Sequence, residues 1–217
     1  MENYKETLIS MSTQAFKRMP YYLHYLKQLQ SEGVQIIASP TIASDLSLNE
    51  VQVRKDFAAI STTKGRPKAG FIIQDLIHNM ELLLGYHNVK DAVLVGAGSL
   101  GKALLSYKGF ETLGMNIVTA FDNNEELVGS ELSGKKILPS DKISSVCRRL
   151  NIHIGIIAVP AAQAQMVCDQ LVAGGILAIW NFAPLHLMVP GDIMVQNENM
   201  AASLAILSKH LQDKINR

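Results

Sequence analysis

The chain has 217 residues, 48% of them hydrophobic, and a formal net charge of +1. That length holds two modest domains or one large one, and the near-neutral balance excludes a global nucleic-acid signature, so any basic surface has to be local. No apolar run reaches the roughly 18 residues of a membrane span, Cys147 and Cys168 form no disulfide framework, and the N-terminus with Glu2 and Glu6 lacks a signal-peptide pattern, which together point to a cytoplasmic protein.

Residues 1–85 read as mostly helical. From Ala15 to Leu29 apolar side chains recur at Phe16, Met19, Tyr22, Leu23, Leu26 and Leu29, a helical stripe. Pro20 is expected near the start of that helix, where a missing N–H costs least, and Gly33 is expected to end it. Ser39-Pro40 reads as the N-cap and first residue of a short helix through Leu46. After the turn Ser47-Leu48, Asn49 with Gln52 three residues on resembles a capping box, opening a helix to about Ser61. Two short helices joined by a tight turn make a helix-turn-helix pattern.

On the second of these helices Val53, Phe57 and Ile60 share one face, leaving Gln52, Arg54 and Lys55 to point elsewhere. The N-terminal residues of such a helix face base edges in a DNA major groove, where Arg reads guanine and Gln reads adenine. The loop Thr62 to Phe71 then carries Lys64, Arg66 and Lys68 among glycines and a proline, which suits the wing of a winged helix gripping phosphates. Between Asn49 and Gly70 five basic residues face two acids. Gln52 and these five basic side chains are the expected DNA contacts. Ile73 to Leu84, ended by Gly85, is a further apolar-striped helix.

From Lys90 the pattern becomes α/β. Strands are expected at Ala92–Val95, Ile117–Phe121, Ile137–Leu138, Ile154–Val159 and Ile176–Ile179, with helices beginning at Ser99, Asp141 and Ala161. Continuous apolar strands without strict alternation indicate a parallel sheet covered on both faces. Asp91-Ala-Val-Leu-Val-Gly-Ala-Gly-Ser-Leu-Gly101 places a glycine turn between the first strand and its helix. Gly96 lets the chain turn off the strand, Gly98 lets a pyrophosphate approach the backbone, and Gly101 lets helix and sheet pack closely. The phosphates meet free N–H groups and the positive end of the macrodipole across Gly96, Ala97, Gly98, Ser99, Leu100 and Gly101. Asp122, 21 residues after Gly101, ends the next strand and is placed to accept from a ribose diol. A carboxylate there repels a 2′-phosphate, and Asn123, Asn124, Glu125 and Glu126 supply no cation. NAD(H) is therefore favoured over NADP(H) on a Rossmann domain spanning 86–198. Val159, Pro160, Asn181 and Phe182 fall at strand C-termini, which makes them candidates for the nicotinamide half of the site; on spacing alone they read equally as turn punctuation.

Residues 199–217 form a last helix, with Met200, Leu204, Leu207, Leu211 and Ile215 as its stripe. A terminal helix this apolar has to cover something, in its own domain or in a partner subunit. His24, His78, His87, His153 and His210 are scattered without metal-ligand spacing, so no metal is expected. A small NAD-dependent oxidoreductase is the alternative reading, but its proton donor or acceptor could only be His186 or Tyr107, and neither sits in a supporting motif. A CoA-binding domain has a similar glycine turn; Asp122 argues against it, because CoA carries a 3′-phosphate where a free diol is needed.

Taken together, the chain resembles the Rex family of NADH-sensing transcriptional repressors. The resemblance rests on Met19-Pro20-Tyr21-Tyr22-Leu23, Val51 to Asp56, Gly96 to Gly101, Tyr107-Lys108-Gly109-Phe110, Ala120-Phe121-Asp122, Val159-Pro160-Ala161 and Asn181-Phe182-Ala183-Pro184. It implies a non-enzymatic homodimer with its N-terminal winged helices on palindromic operator DNA. It also implies Rossmann domains at the dimer interface and a C-terminal helix exchanged between the two domains of the partner. NADH would close the dimer and pull the recognition helices out of register, while NAD+ competes without driving release as well. The chain departs from the family twice. After the recognition helix the family has a Tyr-Phe-Gly stretch with further Phe-Gly and Arg-Gly, where this chain has Ala59 to Pro67. At the start of the last helix the family has an Asp that pairs across the dimer with a Tyr and an Arg, which match Tyr107 and Arg18 here. The matching position is Asn199, which can hydrogen-bond but brings no charge.

Overall fold

A computed structural model describes residues 11–61, 70–86 and 90–216. The chain divides into two compact units, Met1–Asn88 and Val89–Arg217.

The first unit contains α1 (Thr13–Ser31), β1 (Ile36–Ile37), α2 (Ser39–Asp45), α3 (Glu50–Ile60), β2 (Phe71–Ile72) and α4 (Ile73–Leu84). Ser12 caps α1 by accepting from the Ala15 N–H at 3.2 Å. The helix thus begins earlier than the apolar stripe suggests, and Pro20 lies inside it. Pro20 cannot donate to the Phe16 carbonyl, a cost that a first-turn position would have avoided. Phe16 is itself exposed, because the stripe that faces the core is Ala15, Met19, Tyr22, Leu23 and Leu26. The cap of α2 is Ala38, one residue before the expected Ser39; Ser39 and Pro40 form its first turn, and Ser39 is buried. Ser47 takes the left-handed conformation, φ 53°, in the tight turn before α3. Asn49 caps α3, its side chain accepting from the Gln52 N–H at 3.2 Å. Val53, Phe57 and Ile60 of α3 pack against Met19, Tyr22 and Leu26 of α1 and Leu76 and Met80 of α4. Phe57 is edge-on to Tyr22 at 5.2 Å and to Phe71 at 5.4 Å. The two short strands pair antiparallel, Ile36 opposite Ile72. Gly85 ends α4 at φ 74°, a left-handed cap that favours glycine.

The second unit contains β3 (Lys90–Val95), α5 (Ser99–Ser106), α6 (Gly109–Thr112), β4 (Met115–Asp122), β5 (Glu131–Leu132), β6 (Lys135–Pro139), α7 (Ile143–Leu150), β7 (Ile154–Ile157), α8 (Ala161–Ala173), β8 (Ala178–Asn181), β9 (Met194–Asn197) and α9 (Met200–Ile215). The sheet order is β5-β6-β4-β3-β7-β8-β9, parallel throughout except for the β5–β6 hairpin. From β6 to β9 this is the Rossmann order, and its switch point lies between β3 and β7. Val93 and Val95 face a core with α7 and α8, whereas Ala92 and Leu94 face one with Leu105 of α5 and Phe110 of α6. Two-sided burial explains why the strands are apolar without strict alternation. The strand expected over 176–179 is shifted to Ala178–Asn181, since Gly174 and Gly175 carry the end of α8 and Ile176 is buried just after it. The helix expected from Asp141 begins at Ile143, after a single 3-10 turn at Ser140–Lys142.

Candidate functional site

The nucleotide site assembles where strand ends converge. The Gly96 N–H donates to the Phe121 carbonyl at 2.8 Å, the Ala158 N–H to the Val95 carbonyl at 2.8 Å, and the Phe182 N–H to the Ile157 carbonyl at 2.9 Å. These bonds bring the C-termini of β3, β4, β7 and β8 to one edge, on both sides of the switch point.

Each glycine of the turn meets a different constraint. A Cβ on Gly96 would stand 2.6 Å from the Ala158 carbonyl oxygen, and its φ is 98°. A Cβ on Gly101 would stand 1.9 Å from the Gly96 carbonyl oxygen. Both are demanded by the protein itself. A Cβ on Gly98 would meet nothing within 4 Å, and Gly98 is exposed as the N-cap of α5. The protein leaves an open cradle there, of the kind an approaching pyrophosphate needs. Helix α5 has no side-chain cap and no acid in its first turn. The N–H groups of Ser99, Leu100 and Gly101 precede the first helical bond, from Lys102 to the Gly98 carbonyl. They are available to an anion, and no carboxylate opposes the dipole.

Asp122 lies across this turn. Its Oδ2 accepts from the Ala97 N–H at 2.6 Å and its Oδ1 from the Asn124 N–H at 2.8 Å. The acid therefore positions the turn, and Ala97, fully buried, contributes structure rather than a free donor. Half-buried Val159 and exposed Pro160 follow β7 at the same edge, and half-buried Phe182 follows β8. Asn181 has a different role from the one expected of it. It is fully buried, its Nδ2 donates to the Leu185 carbonyl at 2.9 Å and to Asn197 Oδ1 at 2.8 Å, and its Oδ1 accepts from the Ala183 N–H at 3.0 Å. With its amide engaged inside the protein, Asn181 ties β8 to the loop that follows it and to β9. The residues present fit a dinucleotide. An open cavity of about 490 Å³ lined by Lys90, His153 and Met194 lies at the opposite edge of the sheet and has none of these features.

In the first unit Arg54 and Lys55 are exposed on α3, away from its buried face. Lys64, Arg66 and Lys68 lie outside the described residues. Gln52 is held from behind: with its amide oxygen toward the guanidinium it accepts from Arg18 Nη1 at 2.7 Å. Arg18 in turn grips Asp56, Nε to Oδ2 at 2.9 Å and Nη2 to Oδ1 at 3.0 Å, and the Tyr22 hydroxyl donates to Asp56 Oδ2 at 3.0 Å. Asp56 sits on the buried face of α3 beside Val53 and Phe57. Leaving that carboxylate without its guanidinium would cost about 3–5 kcal/mol, against about 0–1 for a surface pair such as Lys27–Glu81. Burial, and then the Asp56 carboxylate, push the Tyr22 hydroxyl up to about 12.

Family comparisons agree with this two-part layout. Residues 87–185 match the family described as CoA binding domain, and residues 10–58 match "Putative DNA-binding protein N-terminus". The chain is 39% identical over 195 residues to the redox-sensing transcriptional repressor Rex of Bacteroides fragilis, covering 90% of this chain and 88% of that one. It is 37% identical over 207 residues to the Rex of Clostridium beijerinckii, covering 95% and 96%. The chain belongs to the Rex family of redox-sensing transcriptional repressors. A crystal structure of RSP in complex with β-NAD+ and operator DNA is similar at a TM-score of 0.88 and 31% identity, covering 94% of each chain. RSP in complex with β-NADH is similar at 0.83 and 30%, covering 94% of this chain and 96% of that one. Full-length similarity to Rex repressors sets aside the oxidoreductase reading and shows that the CoA-domain match reflects the shared Rossmann core.

The three coupling positions that the Rex resemblance singled out each have a local partner. Arg18 pairs with Asp56. Asn199 caps α9, its Oδ1 accepting from the Ala202 N–H at 2.9 Å. Tyr107 is exposed and lies edge-on to Phe110 at 4.9 Å. Sequence reasoning missed Asp56, although a carboxylate on the apolar face of α3 requires a buried partner. It also missed Trp180, which continues the ring series from Phe110 at 5.7 Å to Phe182 at 4.8 Å. The two cysteines are buried, and that burial raises both thiols to about 11. At neutral pH they are protonated and poorly nucleophilic.

Proposed function

We propose that this Rex protein binds palindromic operator DNA in the cytoplasm as a homodimer and releases it when NADH occupies the Rossmann domain. Its output then follows the NADH/NAD+ ratio. The observation that carries the reading is the glycine turn: Gly96 and Gly101 are sterically required, whereas Gly98 opens toward solvent beside uncapped N–H groups and Asp122.

Ser99, Leu100 and Gly101 would bind the pyrophosphate through backbone N–H groups, and Asp122 would accept from the adenosine ribose. Val159, Pro160 and Phe182 would line the nicotinamide half, with Asn181 fixing the loop beneath it. When bound, NADH presents a neutral nicotinamide ring and NAD+ a cationic one. Apolar walls near Phe182 favour the neutral ring, because burying an unpaired charge is costly. A difference of about 2 kcal/mol gives roughly thirty-fold discrimination, which is enough to bias a two-state equilibrium.

On the DNA side Arg54 and Lys55 would meet the major groove, Gln52 would present its edge from the Arg18–Asp56 network, and Lys64, Arg66 and Lys68 would contact phosphates. Helix α9, with its cap Asn199, would be the exchanged element. It has no buried residue, and Leu204, Leu207, Leu211 and Ile215 are all exposed. Such a stripe calls for a cover, and a partner subunit supplies one. A palindromic duplex selected from a random library tests the proposal: NADH should displace the protein at concentrations where NAD+ leaves it bound. Equal displacement by both nucleotides, or by neither, would reject it.

A further inference from the structure

We infer that Trp180 and Glu198 form a clasp that couples the nicotinamide end of the nucleotide site to the root of the C-terminal helix; the inference rests on the function proposed above. The Trp180 Nε1–H donates to Glu198 Oε1 at 3.0 Å. The Glu198 backbone N–H donates to the Asn181 carbonyl at 2.8 Å. The next residue, Asn199, caps α9. One side chain therefore holds the residue from which the exposed helix departs. On its other side the Trp180 ring lies 4.8 Å from the Phe182 ring and 5.7 Å from Phe110, which adjoins Tyr107.

The backbone makes this a short, stiff path. β8 and β9 are hydrogen-bonded in register, Trp180 opposite Gln196 and Asn181 opposite Asn197. Phe182 cannot be displaced by an entering ring without pressing on Trp180, two residues away on the same strand end. Trp180 cannot shift without straining its hydrogen bond to Glu198. Close packing passes such a shift on rather than absorbing it. Trp180 and Glu198 are positioning residues: neither is needed to hold nucleotide or DNA, and both set where α9 begins. Glu198 is half-buried and Trp180 is the chain's single tryptophan, so the contact is specific and can be followed on its own.

The test compares full-length wild type, Trp180→Phe, Glu198→Ala and Glu198→Gln. Three quantities are measured for each: NADH affinity from nucleotide emission, operator affinity without nucleotide, and the NADH concentration that releases half the operator. Trp180→Phe keeps an aromatic ring, smaller than the indole, and loses the N–H; Glu198→Gln keeps an acceptor oxygen for the indole. Trp180→Phe and Glu198→Ala should leave both affinities within about threefold and raise the half-release concentration about tenfold, a typical coupling effect. Glu198→Gln should behave as wild type. Release of Trp180→Phe or Glu198→Ala at the wild-type concentration overturns the clasp, as does equal failure of Glu198→Ala and Glu198→Gln. NADH affinity falling in step with release also overturns it, since Trp180 would then merely line the pocket. Should Trp180→Phe fold poorly, the Glu198 pair still decides, because it leaves the ring untouched. A wild type that binds NADH and keeps its operator rejects the functional reading and the clasp with it; a wild type that releases, alongside variants that release identically, rejects the clasp alone.

Discussion

Gly98 and Gly101 look equivalent in a glycine motif and answer to different demands. A side chain at Gly101 collides with the Gly96 carbonyl, whereas one at Gly98 meets open space at an ordinary φ of −68°. Gly101→Ala is expected to lower the melting temperature markedly, because the overlap falls on backbone that cannot swing aside. Gly98→Ala should melt like wild type and lose NADH affinity at least tenfold, since its methyl occupies the pyrophosphate's approach. Calorimetry and an NADH titration on the two variants separate these effects; a Gly98→Ala protein with undiminished affinity would show that no ligand comes close there. Tyr22 gives a second residue-level outcome. Its hydroxyl is raised from the ordinary 10.0 to about 12. The unfolded chain therefore ionises this group first as pH rises. Stability tied to Tyr22 is complete below pH 10 and is lost as pH climbs toward 12. Urea unfolding from pH 9 to 12 should show that decline, and Tyr22→Phe should make it shallower, with Tyr25, also raised to about 12, supplying part of the rest; an identical slope in the variant would contradict the assignment. The thiols of Cys147 and Cys168, raised to about 11, should react with a disulfide reagent only upon unfolding. Rapid labelling of folded protein at neutral pH would show that the cores containing them open readily.

Among the elements, those with strong periodicity or caps were legible in the sequence. Helix α4 falls at Ile73–Leu84 as read, because an apolar stripe and a left-handed Gly85 bound it on both sides. Helix α3 was legible from Asn49, whose side chain does cap it. The short strands β1, β5 and β9 were not read, since two to four residues paired with a distant segment leave no local pattern. The glycine turn was legible because each glycine answers a local steric demand. The hydrogen bonds that Asn181 makes to Leu185 and Asn197 were not legible, because a polar residue at a strand end looks the same whether it faces a ligand or knits two strands. Trp180 escaped notice because its importance comes from Phe110 and Glu198, both remote in sequence. On α3, Arg54 and Lys55 are exposed, away from its buried face. Replacing Lys55 by Ala should weaken operator and random duplex alike and reduce the salt dependence by about one counterion, if it contacts phosphate. Replacing Arg54 should instead relax sequence preference, at about 1–3 kcal/mol for the base pair it reads. Binding isotherms at several salt concentrations distinguish the two, and unchanged affinity in both variants would remove α3 from the DNA interface.

In the whole molecule, a DNA-binding unit and a dinucleotide-binding unit share one chain, and the signal between them has to be a difference in free energy. Nucleotide that binds equally well to the DNA-bound and released states would report nothing, however tightly it bound. In the proposed account, the apolar side chains near Phe182, the clasp at Trp180 and the exposed helix α9 would together supply a route by which NADH and NAD+ are told apart and the result is passed to a second subunit. The most direct measurement holds total nucleotide constant and saturating, varies the NADH/NAD+ ratio, and follows fluorescence anisotropy of a labelled operator duplex on full-length protein. Operator occupancy should fall along a single curve set by the ratio, unchanged when the total pool is doubled. Occupancy that ignores the ratio, or that depends only on the total pool, would contradict the redox-sensing account.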